Sequence, residues 1–154
     1  VNFTPTAALP NQLADLDNDT NWGSTSLSSV TDNGDSTYTL TNSTTTTGSR
    51  KYEFGTGSSP DNSGNPVVAG HTYRITWKHL SGTANGRIVL NNSNAAYVYT
   101  GDLGNRNVTN ATLTEGSIDV VPTGTTMQLY LFVNSAVSGA TTIFTTPTVE
   151  DLDA

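Results

Sequence analysis

Apolar and polar side chains alternate along most of this chain, and a period of two restricts it to β-structure. The clearest stretch is residues 71–79, where Tyr73, Ile75 and Trp77 share one face and polar side chains share the other. Residues 37–41 alternate in the same way. No segment longer than about one turn shows the apolar spacing of a helix, so we expect an all-β protein.

Short alternating segments recur between turns rich in Gly, Asn, Pro and Ser, and about nine of them can be counted. They are residues 27–30, 37–41, 50–54, 71–79, 87–90, 96–99, 118–121, 127–133 and 142–149. This number and spacing predict an antiparallel β-sandwich, a jelly roll, in one domain over residues 22–154. The Asn33-Gly34 pair supplies the positive φ that a hairpin turn needs.

The segment 127–133 is apolar on both parities except for Gln128, which predicts a central strand covered on both faces. We expect Trp77 and Tyr130 in the core. The remaining predicted core residues are Tyr73, Ile75, Leu129, Leu131 and Val133.

Residues 1–21 form a polar segment, interrupted by Pro5 and Pro10, that predicts an irregular, extended arm. Its few apolar anchors are Phe3, Leu9 and Leu13. A segment this polar cannot form its own core. We therefore expect the arm to contact another subunit or an underlying shell, and the alternative is that it folds back on its own sandwich as an edge strand.

Composition excludes several functional classes. The net charge is −7 with only six Lys and Arg residues, which is unsuited to binding a phosphate backbone and predicts no nucleic-acid partner. No apolar run approaches the roughly 20 residues of a membrane span, so we predict no membrane insertion. The absence of Cys excludes disulfides and thiolate chemistry. With 28 Thr, 15 Ser and 12% charged residues, the chain resembles extracellular and virion-surface proteins.

No catalytic motif is present, and we predict that the chain is not an enzyme and needs no cofactor. A glycosidase requires two carboxylates about 5–10 Å apart. Glu53, Glu115 and Asp119 are the acids in or beside predicted strands, and no motif pairs them. His71 and His79 would stand about 26 Å apart on one strand, too far to share a metal.

Asp15, Asp17 and Asp19 have the alternating spacing of a calcium-binding loop. The EF-hand template requires Gly at its sixth position and Glu at its twelfth, where this chain has Thr20 and Ser26. We therefore interpret the segment as a solvated acidic turn and predict no metal site.

Candidate ligand contacts are Tyr97 and Tyr99, which flank Val98 on a short strand. If Val98 faces the core, both rings face outward and could stack on a sugar or contact a protein; with the opposite parity they belong to the core. Trp22 is a further candidate whose position is ambiguous, and Arg87 adds a hydrogen-bond donor to this candidate set.

The stretches VVAGHTYRITWKHLSG (67–82) and TTMQLYLFVNSAVSGATTIFTTPTVEDL (125–152) resemble strands of jelly-roll carbohydrate-binding modules of the galactose-binding-like group. The resemblance extends over roughly residues 22–150. Such modules are appended to secreted glycosidases and also occur in phage fibres and capsid-decorating proteins. Many hold a structural calcium through acids on the closing strand, where this chain has Thr145 and Thr146, so we expect folding without calcium.

Three hypotheses about function compete. The first is a non-catalytic virion structural module, a capsid-decoration or fibre protein at the virion surface or outside the cell, with virion or surface proteins as partners. We expect a homo-oligomer, with a trimer preferred. The alternative is a carbohydrate-binding module of a secreted glycan-active enzyme; a third hypothesis is an enzyme acting on glycans.

Overall fold

The computed structural model describes residues 12–55, 60–92, 97–103 and 113–154, with the main chain alone for residues 92 and 97–102. These residues form eleven strands: β1 (Trp22–Thr25), β2 (Leu27–Asp32), β3 (Thr37–Asn42), β4 (Ser49–Phe54), β5 (Tyr73–Ser81), β6 (Asn85–Asn92), β7 (Tyr97–Asp102), β8 (Thr114–Val120), β9 (Met127–Asn134), β10 (Thr141–Thr145) and β11 (Thr148–Asp151). Within the described ranges no helix is present that is long and apolar enough to cross a membrane.

The strands form two antiparallel sheets packed as a jelly-roll sandwich, which confirms the predicted fold class. The five-stranded sheet has the order β1-β4-β9-β6-β7. The six-stranded sheet has the order β11-β5-β10-β3-β2, with β8 paired to β5. The predicted number of strands is too low for two reasons: β1 is a separate strand, and the closing segment divides into β10 and β11 around Pro147.

The core lies between the two sheets and contains the alternating residues predicted for it. Tyr73, Ile75, Leu129, Leu131 and Val133 are each at most 1% exposed. Trp77 is also buried, at 5% exposure. The Asn33-Gly34 turn connects β2 to β3 as predicted. Gly34 has a φ of 82°, and the main-chain N–H of Asn33 donates to the main-chain oxygen of Thr37 at 2.9 Å.

The described part of the arm, residues 12–21, lies against its own sandwich. Leu13 and Leu16 are 3% and 0% exposed within the core, and Gln12 forms a bridge to Thr148 of β11. The prediction that Leu13 contacts another subunit is therefore wrong, because its side chain is already buried by its own domain. Phe3 and Leu9 lie outside the described residues, and their role stays a prediction.

Candidate functional site

The outer face of the five-stranded sheet carries aromatic, amide and charged side chains together. We call this surface the platform, and it comprises Lys51, Glu53, Arg87, Val89, Asn91, Gln128, Tyr130 and Phe132. Its central strand is β9, which pairs with β4 on one side and β6 on the other.

The alternation of β9 creates the platform. Its odd-numbered positions from Met127 to Val133 are aliphatic and buried, while Gln128, Tyr130 and Phe132 are half-buried on the opposite face. Because successive side chains of a strand point to opposite faces, a core of aliphatic residues forces the aromatic and amide residues outward.

Strand register arranges the platform in three transverse rows. The first row is Phe132 and Arg87, bordered by Ser49 of β4; the second is Lys51, Tyr130 and Val89; the third is Glu53, Gln128 and Asn91. Residues two apart on a strand are separated by about 6.6–6.8 Å, so the rows form regularly spaced positions along β9.

Tyr130 and Phe132 form a stacked pair in the middle of the platform. Their ring centroids are 5.7 Å apart and their planes differ by 20°. The Arg87 guanidinium lies 5.7 Å from the Phe132 ring centroid, and the Lys51 ammonium lies 6.0 Å from the Tyr130 centroid. Both cations are within the range in which a ring quadrupole attracts positive charge.

A hydrogen-bonded polar group occupies the end of the platform next to Tyr130. The Gln128 amide donates to a Glu53 carboxylate oxygen at 3.2 Å, and Lys51 forms a salt bridge with Glu53. The Gln128 Oε1 atom accepts from the Tyr130 hydroxyl at 3.3 Å and from the Asn91 amide at 3.4 Å. These contacts fix the orientation of the Gln128 amide and the Glu53 carboxylate beside the aromatic pair.

Trp22, a predicted ligand contact, is instead a core residue. It is 1% exposed, its indole N–H donates to the Ala14 oxygen at 2.7 Å, and its ring packs edge-on against Tyr52 at 5.2 Å. The prediction that Trp22 contacts a ligand is wrong, because residues 12–21 pack over its side chain.

Arg87 lies on the platform, whereas the side chains of Tyr97 and Tyr99 lie outside the described part of the structure. Along the main chain, Tyr97 pairs with Asn91 and Tyr99 pairs with Leu90, with an irregularity between these two pairs. A sugar or protein contact at Tyr97 and Tyr99 therefore stays a prediction.

Tyr130 was expected in the core and lies instead on the platform, half-buried. The sequence analysis also missed Phe132, Gln128 and Asn91 as site residues. A signal was present, since one parity of residues 127–133 is entirely aliphatic and the other contains the aromatic residues and the amide. Because nearly every residue of this segment is apolar, the difference between its two faces was overlooked.

The acidic turn at Asp15, Asp17 and Asp19 is a structural element. Asp19 accepts a hydrogen bond from the Arg50 guanidinium at 2.8 Å, and the Asn18 side chain accepts from the Thr20 amide at 2.9 Å. Across the described ranges, no three His, Asp or Glu side chains are grouped to hold a metal ion.

The strand acids do not form a catalytic pair among the described side chains. Glu53 lies on the five-stranded sheet, whereas Glu115 and Asp119 lie on β8 of the other sheet. Asp119 is bound by Arg74 through two hydrogen bonds of 2.9 and 3.0 Å. These hydrogen bonds from Arg74 lower the pKa of the Asp119 carboxyl below its usual value.

Comparisons with known proteins show the fold. No protein-family model matches the chain, and no curated protein does. A carbohydrate-binding module of the CBM4 class superposes with a TM-score of 0.61 at 13% identity, covering 87% of this chain and 89% of that one. The CBM22-1 xylan-binding domain of Paenibacillus barcinonensis Xyn10C superposes with a TM-score of 0.59 at 11% identity, covering 96% and 99%.

A viral protein also shares the fold. Tailspike protein 4 of bacteriophage CBA120, in its enzymatically active domain, matches with a TM-score of 0.61 at 12% identity. The match covers 94% of this chain and 21% of the tailspike, so the chain spans about a fifth of that protein. The chain thus has the jelly-roll fold of carbohydrate-binding modules, a fold also present in this phage tailspike.

Proposed function

We propose that this chain is a non-catalytic, extracellular carbohydrate-binding module that binds a glycan on the platform. The observation that carries the proposal is the stacked Tyr130–Phe132 pair on an outward face, bordered by the side-chain amides of Gln128 and Asn91. By contrast, the aromatic side chains of Tyr52 and Phe54 on the neighbouring strand β4 are buried in the core.

The chemistry of the platform suits a sugar chain. A pyranose presents C–H groups on its faces and hydroxyls around its edge, so it is recognised by aromatic rings together with hydrogen-bonding groups. The two rings supply stacking surface. Glu53, Gln128 and Asn91 supply acceptors and donors that are already oriented by their mutual hydrogen bonds, which lowers the entropy cost of binding.

The fold comparisons support this function over the virion hypothesis. The CBM4 and CBM22 structures are matched nearly over their whole length, whereas the tailspike is matched over a small part. A virion fibre or decoration module remains the second candidate because of the tailspike match. This second candidate predicts a trimer. Light scattering of the purified chain measures the oligomeric state, and a monomer would count against the virion hypothesis.

Binding to a polysaccharide panel tests the proposed function. We expect retention of the wild-type chain on at least one polysaccharide in affinity electrophoresis, with no release of reducing ends. Tyr130→Ala and Phe132→Ala should each weaken binding about tenfold or more, since one lost stacking contact removes on the order of 1–2 kcal/mol.

The matched control is Ile143→Ala, which truncates a half-buried apolar residue on the outer face of the six-stranded sheet. It should bind like the wild type, and circular dichroism should show all three variants folded. Equal binding by the platform variants and the wild type would overturn the proposal.

A further inference from the structure

Most of the basic residues that the structure describes are paired with carboxylates. Of the six Lys and Arg residues, five lie in the described ranges, and the sixth, Arg106, lies outside them. Four of the five have a carboxylate oxygen within 4.0 Å; they are Arg50, Lys51, Arg74 and Lys78. Arg87 differs, because no described side chain forms a salt bridge with it.

Arg87 is positioned on the platform by two strands. Its Cα lies opposite Phe132 of β9, and its guanidinium lies over the Phe132 ring at 5.7 Å. A stacked guanidinium keeps its N–H groups at the edge of the plane, where they can donate to a ligand in the fork geometry that suits a carboxylate.

The rest of the protein would repel a simple polyanion, since the net charge is −7. A ligand that uses Arg87 must therefore combine an anionic group with a surface that stacks on the adjacent aromatic pair. Both requirements are met by a sugar that carries a carboxylate, with its ring on Phe132 or Tyr130.

We propose that Arg87 and Phe132 form a subsite for a uronic acid residue, so that the platform prefers acidic glycans over neutral ones. This inference rests on the proposed function and adds the chemical class of the ligand. In this arrangement the Arg87 guanidinium donates to the sugar carboxylate, and Phe132 contacts the face of the ring.

Acidic glycans measured beside their carboxyl-reduced forms test the preference, since each pair differs only in the charged group. Suitable probes are oligomers of polygalacturonate, alginate, hyaluronan and glucuronoxylan, measured by calorimetry with the intact chain. We expect at least one acidic form to bind about tenfold more tightly than its reduced partner, as for a charge-assisted hydrogen bond.

Two variants complete the experiment. Arg87→Gln should bring the acidic-to-reduced affinity ratio close to one, whereas Arg74→Gln, which removes the same charge from the other sheet, should preserve it.

The outcomes separate this inference from the proposed function. If neutral or reduced glycans bind as well as acidic ones, or if Arg87→Gln keeps the ratio, the uronate subsite is overturned while glycan binding stands. A preference for sulfated over carboxylated glycans would also overturn it. If no glycan binds at all, the proposed function fails together with the subsite.

Discussion

The Arg50 guanidinium donates a hydrogen bond from Nε to the main-chain oxygen of Leu16 at 2.7 Å. Arg50 is 2% exposed on β4, and it also donates to Ser24 at 2.7 Å and to Asp19 at 2.8 Å. One buried side chain thus joins residues 12–21 to the five-stranded sheet. Such a buried cation requires its acceptors, because each unsatisfied group is costly.

Arg50→Ala should destabilise the fold by about 2–3 kcal/mol, because it leaves the Leu16 oxygen without its charged donor and removes a buried side chain. Urea denaturation measures this as a lower midpoint at an unchanged slope. The matched variant Asp19→Asn should cost less than about 1 kcal/mol, since the Asp19 side chain is 89% exposed. Equal losses in the two variants would show that the surface ion pair, and not the buried bond, holds the segment.

Deleting residues 1–20 should lower the melting temperature substantially without requiring any change in association. The deletion removes Leu13 and Leu16 from the core and uncovers Trp22, which is 1% exposed in the intact chain. Leu16→Ala alone should cost about 2–4 kcal/mol by creating a cavity. A truncated chain that melts like the full-length protein but loses assembly would contradict this prediction and would favour an arm that contacts another subunit.

Gly86→Ala should destabilise the fold by about 1–3 kcal/mol through overpacking. A Cβ atom at Gly86 would lie 2.6 Å from His79 Cδ2 and 2.9 Å from Phe144 Cζ, and both rings are buried. Gly64→Ala is the control, because no atom lies within 4 Å of its Cβ position, and it should leave the melting temperature unchanged or slightly raised. A tolerated Gly86→Ala would indicate a looser contact between the sheets.

Asp151 should make stability depend on pH in the acid range. Burial raises the pKa of Asp151, but hydrogen bonds from His71 and the Asp153 amide outweigh it, and the pKa is lowered overall. The stabilisation is therefore present above the unfolded carboxyl pKa of about 3.9 and is lost as the pH falls through the lower folded value.

Thermal melts of the wild type and Asp151→Asn measure this dependence. The wild type should be more stable at pH 6, and the difference should close as the pH falls below about 3.9. Glu150→Gln, an exposed neighbour, should show no such closing difference. A constant difference across the whole range would mean that Asp151 acts through packing and not through its charge.

The alternation within single strands could be predicted from the sequence, whereas the packing of residues 12–21 against the sandwich could not. Tyr73, Ile75 and Trp77 occupy the predicted face of β5 because each step of a strand reverses the side chain. Residues 12–21 show no period, and they are held by bonds between distant residues, such as the Leu16 amide with the Thr146 hydroxyl at 3.2 Å. No local pattern encodes such contacts.

The platform was hidden by the apolarity of its central strand. A run that is apolar on both parities fits a strand buried on both faces, and the sequence cannot distinguish that from one face of core and one face of binding surface. Tyr130 was assigned to the core for this reason. The position of Lys51 and Arg87 beside the rings depends on the pairing of β4, β9 and β6, which periodicity does not determine.

Chemical-shift mapping by NMR tests the central claim, glycan binding at the platform, most directly. The labelled chain is titrated with a glycan that it retains in affinity electrophoresis, and amide shifts are followed residue by residue. The account predicts that the largest changes fall on β4, β9 and β6, around Lys51, Gln128, Tyr130 and Arg87. Changes concentrated on β3, β5 and β10 of the opposite sheet would contradict it.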